Sequence, residues 1–237
     1  MTRHKKRQLL DCKYSRVSNK TKILFFHTSS AAIGPLKNYY REHAPELEIV
    51  NILDDGILEY FKLENLPIIT QMMVEGIKRA ENFHRIKACV ITCSAVTRSQ
   101  LRDIEHQSDV PVLKVDLPML ESAIESGKKI GVIASFPPGA RSSLATLHEL
   151  ARERNKKVQL IEIFKPEAYD ALLQGNIALH DELMLNEIEK SKEDCDAYVL
   201  TQVSLAHLND KVEHKVKRPV FASPQESLTK LRKMLNL

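Results

Sequence analysis

Residues 88 to 94 read Ala-Cys-Val-Ile-Thr-Cys-Ser, an apolar run that stops abruptly at Thr92-Cys93-Ser94. A thiol at the end of a buried strand, ahead of a helical pattern, has acid/base or nucleophilic use. Hydroxyl neighbours and the positive end of a helix stabilise the thiolate. The competing reading is packing, because cysteine also serves as a small core residue. Cys89, four residues earlier and inside the run, takes that packing reading. The peptide N–H groups of Ser94, Ala95 and Val96 form a candidate cradle for a carboxylate or an enolate oxygen. Thr92 and Ser94 read either as donors to Cys93 or as helix caps. His27, at another strand end, titrates in the useful range, to orient a substrate or act as an acid; the alternative is a histidine bonded to backbone. Asp54 and Asp55 precede Gly56 and look like a turn, with Asp54 also a candidate site residue. His180, within "NIALHDEL", reads as a helix-surface residue.

The elements that must position these groups alternate regularly. Apolar runs at 22–28, 47–53, 87–93, 111–115, 129–134, 158–163, 197–201 and 219–222 read as strands. Helical patterns fall at 33–42, 67–83, 98–106, 119–126, 142–154, 167–173 and 177–191, with another from Pro224. Pro67 suits the first turn of its helix. Alternation of this kind predicts parallel sheets covered by helices.

A weak internal repeat runs through the pattern. "FFHTSS" and "VIASFPP" each end a strand in a hydroxyl turn, "VITCSAV" pairs with "VLTQVSLA", and "VPVLKVDLPMLESA" pairs with "RPVFASPQESL". The fold expected is therefore α/β: two pseudo-symmetric lobes, each a parallel four-stranded sheet flanked by helices, with the active-site cleft between them. Ligands of open parallel sheets bind beyond the carboxyl ends of the strands. Those ends carry Thr28, Ser29, Asp54, Asp55, Thr92, Cys93, Ser94, Asp116, Ser135, Gln202, Ser204 and Ser223. A rim of hydroxyls and peptide N–H groups suits a carboxylate.

Composition narrows the setting. The chain has 237 residues, 43% hydrophobic and 5% aromatic without tryptophan, so the core is aliphatic. The formal charge of +4 is a property of the N-terminus, where residues 1 to 22 hold eight lysines and arginines against one acid, Asp11. That segment reads as a solvated basic tail over 1–21, so neither a nucleic-acid groove nor a membrane partner is expected. No apolar run is long enough to span a bilayer, and no signal peptide is evident. Cys12, Cys89, Cys93 and Cys195 match no zinc spacing and no disulfide framework, which suits a reducing cytoplasm and no metal.

From Lys22 onward the chain resembles the aspartate/glutamate/hydantoin racemase family. The resemblance is carried by "ILFFHTSSAAIGPL", "EIVNILDDGIL", "VITCSAVT", "PVLKVD", "IGVIASFPP" and "VLTQVSLA". It implies a first lobe of residues 22–117 plus 223–237 and a second of 118–222. It also implies a homodimer and an isomerase that needs no cofactor. Family racemases set one cysteine on each lobe, on opposite faces of the substrate α-carbon. Cys93 matches the first of these, and Gln202 stands where the second belongs. An amide neither donates nor accepts a proton near neutral pH. The resemblance thus implies chemistry at the carbon alpha to a carboxylate of a small acid, with Cys93 as acid/base. The alternatives are a single-cysteine lyase or decarboxylase of a malonate-like acid, and a non-catalytic carboxylate-binding homologue. His27, Thr28, Ser29, Asp54, Thr92, Ser94, Ala95, Val96, Ser135 and Ser204 are the substrate-binding set expected beside Cys93 and Gln202. Pro137-Pro138-Gly139 replaces the threonine-rich turn of relatives.

Overall fold

The structure, a computed structural model, describes residues 20–191 and 194–237. The expected basic tail lies outside the described residues up to residue 19. Chain order is β1 (Thr21–His27), α1 (Ile33–His43), β2 (Leu47–Leu53), α2 (Ile57–Lys62), α3 (Leu66–His84), β3 (Ala88–Ile91), α4 (Arg98–Gln107) and β4 (Val112–Lys114). Then follow α5 (Leu117–Ser126), β5 (Lys129–Ala134), α6 (Pro137–Glu153), β6 (Gln159–Phe164), α7 (Pro166–Leu173), α8 (Ile177–Ser191), β7 (Ala197–Leu200), α9 (Asn209–Val216), β8 (Val220–Ala222) and α10 (Ser223–Leu235). Short 3-10 turns cover Ser30–Ala32 and Val203–Leu208.

Two parallel four-stranded sheets result, in the orders β2-β1-β3-β4 and β6-β5-β7-β8. Both faces of each are covered, which is why the strands read as continuous apolar runs rather than alternating ones. On β1, Leu24 and Phe26 face α2, α3 and α4 through Phe61, Met73, Ile77 and Ile104. Ile23 and Phe25 face α1 and α10 through Leu36, Tyr40 and Leu231. In the second sheet Ile133 and Leu200 pack on α7, α8 and α9, while Ile130 and Val132 pack on α5 and α6.

The repeat is exact in its hydrogen bonding at the strand ends. Thr92 N–H and Oγ1–H both reach the carbonyl of Phe26, at 3.0 and 3.2 Å. Thr201 makes the same two bonds to Ile133 at 3.1 and 3.0 Å. Asp54 N–H donates to His27 O as Lys165 N–H donates to Ala134 O. The next residues, Cys93 and Gln202, therefore occupy equivalent places.

The helix expected from 142 begins five residues earlier. Pro137 and Pro138 form its first turn, where a proline's missing N–H costs nothing. Gly139 is there because the lobes touch: a Cβ on it would sit 2.5 Å from Ser94 Oγ. Across the same seam Ser142 Oγ–H donates to Val96 O at 2.9 Å, and Arg98 pairs with Glu149 and Glu153. The helices α2 and α9 were not expected. No described helix is long and apolar enough to cross a membrane.

Candidate active site

The carboxyl ends of the two sheets enclose a small cavity of about 50 Å³, little more than a single water's share of liquid, about 30 Å³. Thr28, Ser29, Thr92, Cys93, Ser94, Gln202 and Ser204, all expected at the site, line it. Cys93 sits on the six-residue connection between β3 and α4. That connection does not aim the helix end at the thiol. Thr97 caps α4 with a reciprocal pair of bonds to Gln100, so the helix starts five residues beyond Cys93.

The donors to Cys93 also differ from those expected. Its sulfur is approached by the Thr28 hydroxyl and the Ala95 N–H. Thr92 turns away and bonds His27 Nδ1 at 2.9 Å. Cys93 is 5% exposed, and burial pushes its thiol up, against the pull of Thr28, Ala95 and the Lys114 ammonium. The resting group is a neutral thiol, not the stabilised thiolate expected.

The peptide cradle is likewise mostly occupied. Ala95 N–H serves the sulfur, and Val96 N–H closes a turn onto Cys93 O at 3.4 Å. Ala95 and Val96 are buried and do not line the cavity. His27 is fully buried one layer below. Its Nε2 bonds Asn51 Oδ1 at 2.9 Å, and its Nδ1 meets the Thr92 hydroxyl. Burial holds its pKa below the usual value, opposed by the Asn51 bond. His27 thus braces the rim and touches no cavity space. Asp54 lies outside the lining too, its N–H tying β2 to β1.

On the second lobe Ser135 is fully buried, and its donors are taken by Gln202. Gln202 Oε1 accepts from Ser135 N–H at 2.7 Å, Ser135 Oγ–H at 3.2 Å and Phe136 N–H at 3.0 Å. The amide oxygen fills the anion cradle at the start of α6, where the N–H groups converge. Two backbone donors on one oxygen fix the orientation of the amide. Its NH2 is then the end left for the cavity that Gln202 lines.

The sequence reading missed the cavity's apolar side. Leu58 from α2, Phe136, and Tyr169 and Leu172 from α7 close it. Phe136 and Tyr169 pack with ring centroids 4.7 Å apart at 33°. Phe136 follows a rim serine and was findable; Leu58 and α7 carry no local signal that points to a strand end.

Beneath the rim on the first lobe, Lys114 Nζ donates to Asp116 Oδ2 at 2.9 Å, both side chains essentially unexposed. Elsewhere, His180 is fully buried rather than on a helix surface, and with His207 it bonds the Asp181 carboxylate.

No established family profile matches the sequence. A glutamate racemase of Microcystis aeruginosa (strain NIES-843 / IAM M-2473) is 26% identical over 165 residues, 68% of this chain and 55% of the relative. The chain thus spans about half the length of that relative. A glutamate racemase of Bacillus anthracis superposes with a TM-score of 0.70 over 92% of this chain and 82% of its own, at 18% identity. An allantoin racemase from Klebsiella pneumoniae gives 0.63 over 92% and 89%, at 16% identity. The chain is thus similar in sequence to glutamate racemases and shares the fold of glutamate and allantoin racemases. A mutant of arylmalonate decarboxylase shares the fold as well, with a TM-score of 0.60 over 91% of this chain and 92% of the mutant, at 13% identity.

Proposed function

We propose that this chain is a racemase-family enzyme that transfers a proton at the carbon alpha to a carboxylate of a small acid, on one face, with Cys93 as the acid/base. The observation that carries the reading is the pairing of Cys93 with a tethered Gln202 at equivalent strand ends. Inversion requires a second proton-transferring group on the far face. Among the lining residues the titratable side chains are Cys93 and Tyr169, and burial pushes the Tyr169 hydroxyl up, away from use near neutral pH. The Gln202 amide supplies hydrogen-bond donors and no proton.

A thiol protonated at rest is a ready donor and a poor base. That favours, as the second reading, protonation of an enolate formed by loss of CO2 from a malonate-like acid. In that step the C–C electron pair becomes the enolate, and the Sγ–H proton passes to the α-carbon. The proposal includes a homodimer working without a cofactor. The experiment is incubation of amino acids, hydantoins and substituted malonates in D2O, followed by NMR and chiral chromatography. Deuterium on the α-carbon with one handedness, lost in Cys93→Ser, is the expected result. Racemisation at equal rates from both enantiomers would sink the one-face reading. Absence of turnover on the whole panel would leave a carboxylate-binding homologue.

A further inference from the structure

We infer that the cavity over Cys93 accepts a carboxylic acid whose α-carbon bears an uncharged apolar group, and that it rejects α-amino acids. The inference rests on Cys93 being the group that meets the α-carbon.

The charge inventory of the lining is the first argument. No lysine, arginine, aspartate or glutamate among the described residues lines the cavity. An α-ammonium entering it would lose its hydration and find no carboxylate. The acid on the Cys93 side of the rim, Asp116, is buried and engaged with Lys114, and Asp54 lies outside the lining. A bare ammonium taken from water to such a site is strongly disfavoured.

A single carboxylate is better served. Neutral donors are part of the lining: the hydroxyls of Ser29, Ser94 and Ser204, and the Gln202 NH2. Because Gln202 Oε1 is held by Ser135 and Phe136, its NH2 cannot exchange places with the oxygen without breaking three hydrogen bonds. Gln202 is therefore a fixed donor toward an anionic oxygen.

The apolar part of the lining fixes the substituent. Leu58, Phe136, Tyr169 and Leu172 offer apolar surface and, in the tilted Phe136–Tyr169 pair, an aromatic platform. Leu58, Phe136 and Leu172 offer a second charge no partner, and the Tyr169 hydroxyl is neutral. The cavity is small as it stands, so the substituent gains its room by displacing the half-buried Leu58 and Leu172 side chains. Apolar contact rewards that displacement only if the entering group is apolar.

The test is protection of Cys93 in the full chain from iodoacetamide at about pH 8, followed by mass spectrometry. Racemic 2-phenylpropionate and racemic phenylglycine are the competitors, differing in a methyl against an amino group that is largely protonated there. The expected result is protection by 2-phenylpropionate at a concentration at least about 30-fold below that of phenylglycine. Equal or better protection by phenylglycine overturns the inference, as does absence of protection by 2-phenylpropionate. Glutamate labelled in D2O by the wild-type chain would overturn it as well while leaving α-proton transfer standing. Protection by 2-phenylpropionate with no α-deuteration of any acid would do the reverse.

Discussion

Cys93 carries its proton at rest because burial outweighs the donors that touch it, and its reactivity should show this. Alkylation by iodoacetamide should rise with pH along a curve centred above the ordinary thiol value of about 8.5. A plateau reached below neutrality, measured by rate against pH, would mean a thiolate. Cys89 is fully buried in the first core, its thiol pushed far up by burial. It should stay unmodified until the protein unfolds. His27 gives a second expectation. Its folded pKa lies below the free value of about 6.5. The unfolded chain therefore takes up that proton first as the pH falls. The stability involved is complete above about pH 6.5 and is lost as the pH drops toward the folded-state pKa. Denaturant midpoints measured from pH 5 to 7 should rise with pH, and His27→Gln should flatten the slope. An unchanged slope would show that His27 titrates normally.

Among the elements, the contact of α6 with the Cys93 connection couples the lobes. Gly139→Ala places a methyl against Ser94 Oγ, and a serine can rotate away from it. The expected cost in stability is small, about 1 kcal/mol, with a disproportionate loss of Cys93 protection by ligand, because Ser94 then leaves the cavity wall. A drop in melting temperature with protection intact would assign Gly139 to packing alone. The strands and the helices that cover them were legible because both sheet faces are buried, so every strand reads as an unbroken apolar run between turn signals. Cys93, Gln202 and the rim hydroxyls were legible because they follow those runs. What stayed hidden depends on tertiary choice. The Thr92 hydroxyl lies against both the Phe26 carbonyl and the His27 ring rather than against Cys93. Leu58 and α7 reach the cavity only through the way the chain crosses over. The six-residue α2 and eight-residue α9 lack the length for a clear period.

At the scale of the molecule, two features set its stability and its traffic. Lys114 and Asp116 hold each other out of water at the first lobe's strand end. Removing one partner strands a buried charge, so Lys114→Met should cost about 3–5 kcal/mol by denaturant unfolding. Lys114→Met with Asp116→Leu should recover much of that; a single variant as stable as the parent would show water reaching the pair. The twofold likeness of the lobes yields a different expectation. Gln202→Cys puts a second thiol opposite the first at an equivalent strand end, and inversion of a labelled substrate should become detectable. If the variant folds and stays one-sided, the lobes are alike in backbone only. Finally, a cavity walled by hydroxyls, an amide and hydrocarbon casts no strong field into the solvent. Anionic ligands should reach it at the unsteered rate, about 10⁵–10⁶ M⁻¹s⁻¹, nearly independent of ionic strength. In cells such a protein gains no ground against competitors by capture speed, and its selectivity has to reside in how slowly the right acid leaves.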